Sequence, residues 1–231
     1  MTQTMPSDFD LKYQTLAREI LHFDIKPGDS ISENQLCQRF GLSRTPVRSI
    51  LQRLQENGLV QIIPHKGTLV THLDYDVVNQ LIYERVAVET MVLRDFICTC
   101  TPKDAERVRL AYHRMEQAVT PEAVDASSFL AADLAMHETW FCATGKPYLW
   151  QRLSAVESSY TRFCTLDIIE GKNTQDVLQE HGEMLRLIDE HCTEGIEELM
   201  HRHLYGGVRR LRGLVYTKYA DYFVPLEGEM P

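Results

Sequence analysis

In the stretch FLAADLAMHETWF, Asp133 and His137 stand four residues apart, which on a helix stacks them on one face, among the apolar Phe129, Leu130, Leu134, Trp140 and Phe141. In DVLQEHGEMLRLI, His181 interrupts a stripe of Val177, Leu178, Leu185 and Ile188. In GIEELMHRHLYG, Ile196, Leu199 and Met200 make position 203 the next inward one, and it is His203, whereas His201 points away. A polar group left unpaired in an apolar interior costs on the order of 2–7 kcal/mol, so these side chains need partners. One carboxylate and three imidazoles converging from three helices form an O/N donor set for a borderline divalent metal, Zn²⁺ or Ni²⁺, with a position left for water or a ligand atom. Any one of these histidines is better explained as an ordinary core or surface residue; the four inward positions together carry the metal reading.

The elements that must position them are helices. Apolar periodicity predicts helices over roughly 74–100, 102–119, 123–144, 147–166, 174–192 and 194–220, with Thr101 and Pro102 opening the second and Gly145, Gly171 and Gly195 as punctuation. No 20- to 50-residue repeat interrupts this part, which reads as one all-helical bundle over residues 74–231. At 231 residues and 44% hydrophobic composition, the chain can bury a substantial core. Six cysteines without a C-x-x-C pair argue against a thiolate zinc site, and they are expected to be reduced.

The first 73 residues follow another pattern. Helices are expected from Leu11 to Phe23, over ENQLCQRF after Ser32, and after Ser43 to Asn57-Gly58; LVQIIP and TLVTHL then form a hairpin with Gly67 at its tip. Three helices and a hairpin make a winged helix-turn-helix, so the fold class is mainly α: an N-terminal winged helix-turn-helix domain, residues 1–73, and the C-terminal bundle. The chain's net charge is −9, yet residues 36–72 carry five basic residues against one acidic. The acidity belongs to the bundle, and the local positive patch suits a polyanion. In LSRTPVRSILQRL, Val47, Ile50, Leu51 and Leu54 form a buried stripe, leaving Thr45, Arg48, Ser49 and Gln52 on the other face with Arg44 at the entrance. Such a face can bridge phosphates and base edges in the major groove of double-stranded DNA, with His65 and Lys66 on the hairpin reaching an adjacent groove.

The run KPGDSISENQLCQRFGLSRTPVRSILQRLQENGLVQIIPHKGTLV resembles the N-terminal domain of the GntR family of bacterial transcription regulators, above all in SRTPVR, the following GLV and the wing glycine. The resemblance implies that Arg44, Thr45 and Arg48 contact an operator and that His65, Lys66 and Gly67 form the wing. Ser49-Ile50 stands where family members usually have Glu-Ala, a departure that bears on operator sequence. Residues 75–220 resemble the FCD effector domain of the FadR-type branch, which implies that Asp133, His137, His181 and His203 are metal ligands and that a small organic acid is the effector. Arg85 and Arg162 match positions commonly arginine in that domain and are expected to grip the effector's carboxylate; Arg85 also lies four residues before Glu89, and a helical ion pair explains it equally well.

The reading is a ligand-responsive transcription regulator with no catalytic residues. One winged helix buries modest area, so a homodimer on a pseudo-palindrome is expected, with the bundle as its interface. The N-terminus lacks a basic-then-apolar signal pattern and no apolar run approaches the roughly 20 residues of a membrane span, so a cytoplasmic protein with no membrane partner is expected. Two rival readings are a metal-dependent hydrolase, disfavoured because no general base has an obvious place beside the quartet, and a regulator whose bundle is a metal-free acyl-thioester pocket or a plain dimerisation module.

Overall fold

A computed structural model describes residues 7–120, 123–155, 158–171 and 174–225. The chain divides into two compact units, one of residues 1–75 with 214–231, the other of residues 76–213.

The first unit opens with α1 (Asp8–Leu21), where the Ser7 hydroxyl accepts from the Asp10 backbone N–H, satisfying one of the first turn's free donors. Strand β1 (Ser30–Ile31) leads into α2 (Glu33–Phe40), capped by Ser32 and ended by Gly41 at φ 63°, a left-handed conformation that glycine adopts without steric cost. Ser43 occupies the N-cap position of α3 (Arg44–Glu56) with extended backbone, but its hydroxyl makes no capping bond. Helix α3 is held instead by its apolar stripe: Val47, Ile50, Leu51 and Leu54 are at most 1% exposed and pack with Leu16 and Ile20 of α1. Each such side chain contributes about 1.5–3 kcal/mol on burial.

The expected hairpin is β2 (Val60–Ile63) and β3 (Gly67–Val70), antiparallel with Val60 opposite Val70 and Ile63 opposite Gly67. Its turn is Pro64-His65-Lys66, with His65 in the left-handed region at φ 61° and Gly67 beginning the return strand, so Gly67 stands just past the tip rather than at it. Strand β1 pairs with the other edge of β3, giving the order β1-β3-β2; two residues are too few for sequence periodicity to mark a strand.

The C-terminal stretch, expected to extend the bundle, belongs to this first unit. The Leu73 N–H donates to the Tyr222 carbonyl at 2.9 Å and the Val224 N–H to the Leu73 carbonyl at 2.8 Å. Tyr222 stacks on Phe23, Tyr75 meets Phe223 edge-on, and Leu73 and Phe223 are buried. The apolar residues flanking the wing thus find their cover in chain 150 residues further on (Leu73 to Phe223), a pairing that local periodicity does not encode.

The second unit consists of helices, among its described residues: α4 (Tyr75–Thr99, entering from the first unit), α5 (Pro102–Gln117), α6 (Ala126–Ala143), α7 (Pro147–Ala155), α8 (Ser158–Gly171), α9 (Thr174–Asp189), α10 (Ile196–Leu204) and α11 (Gly206–Leu211). A reciprocal capping box between Thr101 and Asp104 starts α5, and the Asp125 carboxylate caps α6. Helix α5 packs along α6 and α9, and α9 along α10. The region expected as one helix over 147–166 carries α7 and α8, the connecting residues 156 and 157 lying outside the described ones. The single helix expected over 194–220 is also divided: α10 ends at Leu204 with Tyr205 as its C-cap, α11 starts at Gly206-Gly207, turns follow, and one 3-10 turn spans Ala220–Tyr222. Two successive glycines, each about 1 kcal/mol poorer than alanine in a helix, weaken continuation there.

Candidate functional site

Helices α6, α9 and α10 bring Asp133, His137, His181 and His203 together, with one ligand atom from each lying within 4.8 Å of the others. Asp133 Oδ1 is 3.0 Å from His181 Nε2 and 4.0 Å from His137 Nε2. The His203 ring centroid lies 4.5 Å from that of His181 and 5.5 Å from that of His137. His137 and His181 are buried, His203 nearly so, and Asp133 keeps 17% of its side-chain exposure.

Each imidazole is oriented by its other nitrogen. His137 Nδ1 is hydrogen-bonded to Glu89 of α4, His181 Nδ1 is 2.8 Å from the Val177 carbonyl, and His203 Nδ1 is 3.0 Å from Glu180 Oε2. A carbonyl oxygen only accepts, so His181 Nδ1 carries the proton and, in a neutral ring, Nε2 carries the lone pair. In that neutral ring the lone pair faces an Asp133 oxygen at 3.0 Å, a contact of two acceptors that is relieved either by a second proton on the ring or by a cation shared between the two groups. Neither His137 Nε2 nor His181 Nε2 has a hydrogen-bond partner, although both are buried. The donor chemistry, the orphaned nitrogens and the acceptors behind the rings all fit a divalent metal.

Burial by itself would raise the Asp133 carboxyl, but the adjacent His181, which donates to it when its ring is protonated, and the nearby imidazoles outweigh burial and hold the group well below the usual carboxylate range. Burial lowers His181, and Asp133 more than reverses this; burial and the neighbouring His181 together push His203 down. Glu89, fully buried, is kept ionised by Arg85 and His137 against the opposing effect of burial.

Of the two arginines expected to meet an effector, Arg85 is 2% exposed, with its Nε 2.6 Å from Glu89 Oε1 and its guanidinium over the Tyr160 ring. The helical ion pair is therefore present, and it continues as Arg85–Glu89–His137. Arg162 of α8 is fully enclosed, and burial lowers it to about 10, still charged at neutral pH. Neither is among the described residues lining the cavity of about 50 Å³ that Asp133 and His203 border. The cation in that lining is Arg210 of α11, paired with Asp167 of α8. Sequence reasoning missed Arg210, and it missed Glu89 and Glu180 as imidazole partners; it had placed no glutamate beside the quartet. The signals were faint: Glu180 precedes His181, and Glu89 was visible only as the partner of Arg85. Both carboxylates lie on the Nδ1 side of their rings, where they orient the imidazoles.

In the first unit Arg44, Thr45, Arg48, His65, Lys66 and Gly67 are all exposed, the first three on the face of α3 that does not carry the buried stripe. Arg48 Nε is 3.1 Å from Glu33 Oε2 and Arg44 Nη2 is 3.3 Å from Asn34 Oδ1, so both guanidiniums are steadied by side chains of α2.

A winged helix-turn-helix and a helical unit enclosing a polar cluster define a class: DNA-binding transcription regulators with a separate regulatory domain. Residues 13–70 match the gntR family of bacterial regulatory proteins and residues 80–206 match the FCD domain. The chain belongs to the GntR family, with an FCD domain, and thus to a family of transcription regulators rather than enzymes. It is 25% identical over 192 residues to the HTH-type transcriptional repressor RspR of Escherichia coli K12, covering 83% of each chain. An HTH-type regulator from Streptomyces ambofaciens is 27% identical over 203 residues, 87% of this chain and 84% of its own. Among solved structures, a GntR transcriptional regulator from Rhodococcus sp. RHA1 superposes with a TM-score of 0.74 at 20% identity, over 90% of this chain and 99% of that one. E. coli McbR/YncC gives 0.72 at 16% identity over 93% and 100%. No helix among the described residues is long and apolar enough to cross a membrane.

Proposed function

We propose that this regulator is a cytoplasmic homodimer that reads a pseudo-palindromic operator and changes its grip when a small organic acid reaches a divalent metal, Zn²⁺ or Ni²⁺, held by Asp133, His137, His181 and His203. The observation that carries this is the contact of His181 Nε2 with Asp133 Oδ1 at 3.0 Å while Val177 takes the proton of Nδ1. When bound, the metal supplies a Lewis-acidic position that a carboxylate oxygen can take. Glu89, the Val177 carbonyl and Glu180 fix the rings, and the apolar walls of the cavity, among them Phe129, Leu130 and Phe163, exclude bulk water.

In this reading Arg44, Thr45 and Arg48 enter the major groove from α3, and His65, Lys66 and Gly67 approach the adjacent groove. Arg85 and Arg162, expected at the effector, act from behind the cavity wall, Arg85 by holding Glu89. Coupling is reciprocal: an acid that loosens DNA must bind less tightly to the DNA-bound form.

The test is metal content and operator binding measured together. Protein purified without chelators is expected to hold about one Zn²⁺ or Ni²⁺ per protomer, and His181→Ala to lose it and with it the response of DNA binding to organic acids. Full occupancy in His181→Ala would overturn the site.

A further inference from the structure

Arg210 and Asp167 form a charged pair in the wall of the same cavity that Asp133 and His203 border. Arg210 Nε lies 2.9 Å from Asp167 Oδ1 and 3.2 Å from Oδ2, and Nη2 lies 2.5 Å from Oδ2. The pair keeps 16% and 10% of its side-chain exposure. Its place is built into the backbone. A Cβ on Gly206 would stand 2.8 Å from Arg210 Nη1, and one on Gly207 would stand 3.1 Å from Phe163 Cε1 and 3.3 Å from Asp167 Oδ2. The glycine pair that divides α10 from α11 therefore also makes room for the guanidinium and its partner.

Arg210 also lines an outer groove of mixed charge, together with Arg202, Arg209, Asp176, Glu180 and Glu183, and so stands between that groove and the inner cavity. Both Asp167 oxygens are taken by the guanidinium, whereas Nη1 is left free of these bonds. An anion that reaches the guanidinium competes with Asp167 for its donors; an arriving cation finds a carboxylate already occupied.

Resting on the proposed metal and organic-acid site, we propose that Arg210 is the second anchor of the effector: the ligand is a short dicarboxylate, with one carboxylate at the quartet and the other on Arg210, in competition with Asp167. A methyl or methylene end offers the Arg210 guanidinium no acceptor, so an acid with one carboxylate gains nothing at that end. The competition has a direction: a carboxylate on Arg210 repels Asp167 and loosens the tie between α8 and α11.

The experiment is calorimetric titration of metal-loaded, dialysed full-length protein with acid pairs matched in carbon number: 2-hydroxymalonate against lactate, malate against 2-hydroxybutyrate, and 2-hydroxyglutarate against 2-hydroxyvalerate, with metal content measured after each run. At least one diacid is expected to bind about tenfold or more tightly than its monoacid, and Arg210→Gln to collapse that ratio toward one. Arg210→Lys, which keeps the charge but loses the planar fork, is expected to fall between and serves where the glutamine variant does not fold. Wild-type protein that shows no preference for any diacid, or a preference undiminished in both variants, overturns the assignment. A diacid preference that persists unchanged after metal removal leaves Arg210 in place and overturns the metal reading; no binding by any of the acids overturns both.

Discussion

His137 shows how a single side chain is prepared for a task at one of its two nitrogens. Arg85 holds Glu89, Glu89 takes Nδ1, and Nε2 is left buried without a hydrogen bond. His203 is served in the same way by Glu180. Glu180→Gln should then lower metal affinity about 10–100-fold while circular dichroism and the melting transition stay near wild type, checked by competition with a chromogenic chelator. Glu89→Ala should behave differently, because it removes a fully buried carboxylate from its ion pair with the buried Arg85: a loss of about 3–5 kcal/mol in urea unfolding is expected. The inward direction of the quartet was legible because a helix repeats every 3.6 residues, so Asp133 and His137 had to share a face and position 203 had to follow Leu199 and Met200. The partners behind the rings were not, since Glu89 meets His137 across two helices, 48 residues apart in sequence.

Helix α3 serves two purposes with opposite faces. Its buried stripe anchors the reader, and Leu54→Ala should cost about 2–5 kcal/mol, visible as a lower denaturation midpoint. Its outer face carries the proposed DNA contacts: Arg48→Ala should weaken operator binding and, where Arg48 meets a phosphate, reduce the slope of log affinity against log salt by about one, measured by fluorescence anisotropy at several salt concentrations. An unchanged affinity would remove Arg48 from the interface. Both faces followed from spacing and residue type. The division of α10 from α11 did not, because a glycine pair inside an apolar repeat is tolerated or not according to what packs on it, here the Arg210 guanidinium.

The molecule as a whole is two units linked twice, once at α4 and again where the chain returns at Leu214. The second link follows α11, four residues after Arg210, and continues into residues that pair with Leu73, so α11 and the DNA-binding unit share a short covalent path. Phe223→Ala should destabilise the first unit by about 3–5 kcal/mol, seen as an earlier thermal transition and as weaker operator binding with metal content intact. Dimerisation belongs to this scale as well: light scattering is expected to give two protomers per palindromic operator, and a single protomer bound with full affinity would exclude the dimeric reading. The sequence by itself determined the two-part plan, the reading helix with its exposed arginines and the four inward polar positions, because each follows from periodicity and capping within one segment. Only the tertiary structure decided which carboxylates stand behind the imidazoles, that Arg210 rather than Arg85 or Arg162 lines the cavity, and that the C-terminal stretch closes on the first unit. Those are contacts between segments far apart in the chain, and local sequence pattern carries no record of the partner on the other side.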